Sequence, residues 1–154
     1  MTDDTGRPAA DPRAMRIALW VIALDPLVLA GIAYALGISG MAHPLRDNPP
    51  ALLAMVFAAT ALGLLYVSFK LASGRYDPPL PPGSPPRPAV RGVSMRDGVR
   101  LGAVAIAAAP AVLGLVLHLL TGDDWALVAF NGGALAVAVR HVMAFAAAES
   151  GSGS

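Results

Sequence analysis

The chain has no cysteine, few charges and few aromatic residues. Without thiols it has no disulfide, no thiolate metal site and no cysteine nucleophile. Only 14% of its residues are charged, against about 25% in an ordinary soluble domain. Its net charge of +1 gives no basis for nucleic-acid binding, which relies on a concentrated positive face. No P-loop and no Ser-His-Asp grouping occur in the sequence, and the outer carboxylates Asp123-Asp124 are first a helix cap, so no catalytic constellation points to an enzyme.

In place of these the chain has long apolar runs. Hydrophobic residues make up 56% of it. Met15–Ile38, Ala51–Ala72, Val99–Leu120 and Trp125–Ala148 each exceed the ~20 residues that cross a hydrocarbon core. The expected fold is an all-α integral membrane protein whose four transmembrane helices form two tandem helical hairpins. Residues 1–14 are a tail, 15–72 the first hairpin, 73–98 a proline-rich strap, 99–148 the second hairpin and 149–154 a second tail. The first run is too long for a cleaved signal core and reads as a retained anchor. Gly151-Ser152-Gly153-Ser154 resembles a linker scar.

Local signals punctuate these runs. Asp11-Pro12 is an N-cap followed by proline at the first helical position, and Gly37 and Gly40 close that helix. Ser94-x-x-Asp97 is a capping box, and Thr121–Asp124 a tight turn that caps the last helix. Residues 77–91 hold seven prolines, a composition that favours a semi-rigid polyproline II spacer. Its P-x-x-P spacings, such as Pro79/Pro82, need a dedicated aromatic groove before they mean recognition.

Charge placement sets orientation. With both termini on one side, ten of the eleven Lys and Arg residues lie there and only Arg46 lies opposite. By the positive-inside rule the termini and the strap are cytoplasmic, in a plasma (inner) membrane.

An internal repeat is also legible. Shifted by 84 residues, Arg16–Leu36 overlays Arg100–Leu120 with seven identities, among them Arg16/Arg100 and Pro26/Pro110. The same shift overlays Tyr34 on His118, and a shift of 75 overlays Tyr66 on His141. Both hairpins would enter from the same side, as a parallel repeat. Pro26 and Pro110 each remove one helical hydrogen bond at mid-span, so a kink is expected at both.

Few residues have the chemistry of a site. Asp25 lies mid-helix, where a charged carboxylate costs about 2.5–3.5 kcal/mol unless protonated, paired or hydrated. Arg140, at similar depth on the last helix, is its natural counter-charge, and snorkelling of Arg140 to the headgroups is the bland alternative. Asn131, next to Gly132 and Gly133, reads as polar packing, and Ala103/Ala107/Ala111 and Ala59/Gly63 as small-residue helix seams. His118 and His141 fall near opposite ends of antiparallel helices, so they do not share a haem or a metal; no cofactor and no metal are expected.

Two known layouts bear comparison. The tandem hairpins resemble the rotary-ATPase proteolipid, which carries its ion-binding carboxylate in the second helix of a hairpin; here Asp25 is in a first helix. Two two-helix repeats with a carboxylate in the first helix are similar to the proteobacterial antimicrobial compound efflux family. Its His-x-x-x-Phe-Glu-like signature is absent from Leu19–Leu24. Both likenesses are architectural and carry over no residue. The expected function is a non-enzymatic subunit or scaffold of a larger membrane complex. Its partners would be the lipid bilayer and either copies of itself or other membrane subunits. The alternative is a small oligomeric proton-coupled transporter or pore that uses Asp25 with Arg140 as counter-charge.

Overall fold

The structure, a computed structural model, describes residues 11–38, 51–73 and 95–150. Residues 1–10, 39–50, 74–94 and 151–154, which hold most of both tails, the loop between the first two helices, most of the strap and Ser94 of the expected capping box, lie outside the described residues. All described elements are helical: α1 (Pro12–Ile38), α2 (Ala51–Ala72), α3 (Met95–Ala108), α4 (Pro110–Thr121) and α5 (Asp124–Ser150). With α3 and α4 taken as one span, four helices are long and apolar enough to cross a membrane.

The helix ends follow the sequence signals. Asp11 Oδ1 accepts the amide of Arg13 at 2.9 Å. Asp123 Oδ1 accepts the amides of Trp125 at 2.9 Å and Ala126 at 3.3 Å, so it caps α5. Gly122, the one described residue with positive φ (69°), closes α4 by donating to the His118 carbonyl at 2.7 Å. Glycine reaches that left-handed conformation without a Cβ clash.

The two prolines behave differently. The expected third helix is broken at Ala109. Pro110 has no amide to give the Ile106 carbonyl, and the next bond, Val112 N–H to the Ala109 carbonyl at 3.1 Å, spans only three residues. By contrast α1 runs through Pro26 as a single helix, so the kink expected there does not interrupt it. Both proline side chains are fully buried.

Packing is unequal among the helices. Leu19 and Ala23 of α1, Ala103, Val104 and Ala107 of α3, and Ala138, Val142 and Phe145 of α5 form one buried cluster, with Leu71 and Ala72 of α2 against its edge. The starts of α1 and α3 and the ends of α2 and α5 therefore meet at one end of the bundle, and successive spans run up, down, up, down. The second hairpin packs on itself, α3–α4 against α5. The helices of the first do not touch each other: α1 lies along α5 and α3–α4, and α2 lies mainly along α3–α4. The first hairpin thus straddles the second instead of forming a unit of its own.

Small residues make this centre close. Ala103, Ala107, Ala111, Ala134 and Ala138 are completely buried, as expected for seams in which backbones approach. Ala59 and Gly63 are instead exposed, so the expected seam on α2 does not face the bundle. Nor do Gly132 and Gly133 provide close approach, since a Cβ on either would meet nothing within 4 Å. The tight point is Gly114 of α4, where an added Cβ would lie 2.6 Å from Phe130 Cβ and 3.3 Å from Asn131 Nδ2.

Gly114→Ala should accordingly destabilise the bundle by about 1–3 kcal/mol through overpacking. Gly133→Ala should be neutral or stabilising, by up to about 1 kcal/mol, through helix propensity. Thermal unfolding of the two variants in detergent checks the contrast.

Candidate functional site

The end of the bundle where α1 and α3 begin carries the densest side-chain chemistry. His141 projects from α5 into the α2 contact and is 3% exposed. Its Nε2 lies 3.3 Å from Ser68 Oγ on α2. The Ser68 hydroxyl donates to the Leu65 carbonyl at 2.7 Å, so its proton is committed. Ser68 must then accept, and His141 Nε2 carries the hydrogen.

Rings and cations extend from this pair. Phe69 meets the His141 ring edge-on with centroids 5.0 Å apart. Phe145 stacks on its other side at 6.2 Å. Arg140 lies over Phe69 at 5.1 Å and Arg100 over Phe145 at 5.4 Å. The series Arg100–Phe145–His141–Phe69–Arg140 is a ladder of three rings with a cation at each end, across α3, α5 and α2. The positions arise from helical spacing: His141 and Phe145 are one turn apart on α5, and Ser68 and Phe69 are adjacent on α2. Each cation over a ring face adds about 0.5–2 kcal/mol. Apart from the His141–Phe145 pair, these contacts are not visible in the order of residues, because they join helices far apart in the chain.

Asp25 is exposed on α1 and makes no hydrogen bond or ion pair among the described residues. Arg140 is exposed too, with its guanidinium on Phe69. The expected Asp25–Arg140 pair is therefore not formed within the chain. The physical reason is the fold itself: Arg140 is held at α2, and α2 has no contact with α1. Beside Asp25, a groove of about 620 Å³ runs along α1 past Arg13, Arg16, Ile17, Trp20, Val21 and Leu24, cationic at one end and apolar at the other.

At the opposite end His118 is 5% exposed, and its Nδ1 stands 3.3 Å from Asp124 Oδ1, an ion-pair distance outside hydrogen-bond geometry. Asn131 is 6% exposed. Its Nδ2 donates to the Leu127 carbonyl at 2.9 Å, while its buried Oδ1 has no hydrogen-bond partner among the described residues. Asn131 thus sits at the Gly114 contact, where the sequence reading put polar packing. His118 and His141 are at opposite ends of the bundle, and no three His, Asp or Glu side chains converge among the described residues.

These features define a class: an all-helical bundle with four helices of membrane-spanning length and a cation–aromatic ladder at one end. Comparison of the chain with protein-family models, with curated proteins and with solved structures gave no match.

The ladder makes its centre energetically exposed to mutation. His141→Ala should destabilise the bundle by about 2–4 kcal/mol, through lost volume and a lost partner for Ser68. Ser68→Ala should remove only about 0.5–1.5 kcal/mol. Chemical denaturation followed by tryptophan fluorescence distinguishes the two.

Proposed function

We propose that this chain is a non-enzymatic polytopic membrane subunit, a scaffold that acts through lateral contacts in the bilayer. The observation that carries the reading is the lopsided packing. The second hairpin holds the core, and α1 and α2 flank it, each with a long apolar face directed away from the bundle. Tyr34, Leu52, Met55 and Leu62 are each more than two-thirds exposed. Apolar faces of this extent belong against lipid or another protein.

The same reading places the chain in a plasma (inner) membrane with both termini cytoplasmic. The end where α1 and α3 begin holds Arg13, Arg16, Lys70 and Arg100, in keeping with the positive-inside bias. A parallel repeat fits the first and third spans. Every buried position of α1 falls on a buried position 84 residues later: Leu19/Ala103, Ala23/Ala107, Pro26/Pro110 and Ala33/Leu117. The overlays of Tyr34 on His118 and Tyr66 on His141 have no such support, since both tyrosines are exposed and both histidines buried.

The transporter reading draws on one feature, an unpaired carboxylate at the midpoint of the span Arg13–Gly37. Because Arg140 of the same chain does not reach it, that reading requires more than one copy.

Extraction in mild detergent or lipid nanodiscs should give the chain in association with other copies or other membrane proteins. A single chain under every lipid condition would overturn the scaffold reading. Because the chain lacks cysteine, Ser84→Cys and Asn48→Cys can be labelled singly in intact cells. The impermeant reagent should reach Asn48→Cys and miss Ser84→Cys. Proton flux through proteoliposomes that disappears in Asp25→Asn would favour transport instead.

A further inference from the structure

We propose that copies of this chain assemble head-to-tail, the Asp25 carboxylate of one pairing with the Arg140 guanidinium of the next. The proposal rests on the scaffold reading and names its partner as a second copy of the chain.

Asp25 and Arg140 are the two formal charges set deeper than one turn from the end of a span; Arg13, Arg16, Lys70, Asp97, Arg100 and Asp124 all lie at the ends. The two have opposite signs, both are exposed, and neither has a hydrogen-bond or ion-pair partner among the described residues. In hydrocarbon each is unfavourable alone, and a hydrogen-bonded pair relieves both.

Depth and direction agree. Asp25 lies twelve residues from the Arg13 end of its span and Arg140 eight from the Ala148 end of its own. Those ends are on the same side of the bundle. The offset of about four residues is ~6 Å along the axis, within reach of an arginine side chain. The two charges do not meet within one chain, because the Arg140 guanidinium lies over Phe69 of α2 and α2 does not touch α1. They lie on opposite flanks of the core, the arrangement that lets one surface of a copy meet a different surface of the next.

The surroundings suit such a contact. The Arg140 guanidinium, over the Phe69 ring, has five N–H donors in a planar fork that matches a carboxylate bidentately. Ala136 and Ala144, one turn either side of Arg140, are exposed and small, so a helix can approach closely. Val21 and Val28, about a turn either side of Asp25, are exposed by 62% and 59% and supply the opposing apolar surface. A symmetric dimer through α1 would instead place two Asp25 carboxylates together, which like-charge repulsion disfavours. Head-to-tail contact generates a ring or an open row.

Cysteine cross-linking in native membranes tests the pairing with both charges intact. With the Arg13 end of α1 and the Ala148 end of α5 level, Val28 of one copy, fifteen residues in, faces the exposed Gly133 of the next, also fifteen residues in and two turns from Arg140. The double variant Val28→Cys/Gly133→Cys should form a ladder of disulfide-linked species, and neither single variant should dimerise. Asp25→Asn or Arg140→Gln should reduce the ladder about tenfold, as the loss of one charge-assisted pair implies. The exchange Asp25→Arg/Arg140→Asp should restore it. Self-linking of Val28→Cys alone, a ladder unaffected by either neutral variant, or an exchange that fails to restore it overturns the pairing. A chain that shows no ladder yet co-purifies with other membrane proteins overturns the pairing and leaves the scaffold reading standing.

Discussion

The whole bundle depends on close backbone approach between α3–α4 and α5. Completely buried alanines line both sides of that contact, and Gly114 lets Phe130 and Asn131 come within the space a methyl group would fill. In the membrane proposed for this chain there is little hydrophobic driving force between apolar helices, so packing and dispersion hold them together. The short distances available to Ala and Gly are what make those terms large. With this pair in place, α1 and α2 dock on its two sides through narrow stripes: Leu19, Ala23, Pro26 and Ala33 on α1, and Ala61 and Ser68 on α2.

The distribution of polar chemistry follows from that arrangement. The α2 stripe ends at Ser68, which meets His141, and the rings and guanidiniums around them tie α2 to the core where apolar contact is sparse. Arg140 is thereby committed to the α2 flank. Asp25 is on the outward side of α1, the other flank. On the proposed reading both charges look into the bilayer plane, so the needs of a single chain are unmet until a neighbour arrives. The break at Ala109 has a more local meaning. It falls where the buried Pro110 passes through the centre of the bundle, and the continuous helix around Pro26 shows that proline alone does not compel such a break.

Much of the fold was legible in the residue order. The four spans, the Asp11 cap, the Thr121–Asp124 turn with Asp123 as cap, and the Ala103/Ala107/Ala111 seam all rest on local rules: length, hydrogen-bonding side chains near helix ends, and spacing by turns. Less of the site was legible. Asp25, Arg140 and Asn131 stand out because they are polar where neighbours are not. Their partners do not stand out, since Phe69, Phe145, Leu127 and Ser68 are ordinary members of apolar helices. Nothing in the residue order sets Gly114 apart from Gly132 and Gly133, yet an added Cβ would meet a neighbouring side chain at Gly114 and nothing at the other two.

The amino-acid order by itself determined how many helices of membrane-spanning length exist, where they start and stop, and which ends carry positive charge. Each of these depends on interactions within a few residues, or on a sum over a run. Only the tertiary structure decided which face of each helix turns inward. A helix that is apolar all round has no polar stripe to orient it, so its rotation is settled by which neighbours its small residues let it approach. That choice sent Ala59, Gly63 and Asp25 outward, brought Ser68 to His141, and kept Asp25 and Arg140 apart.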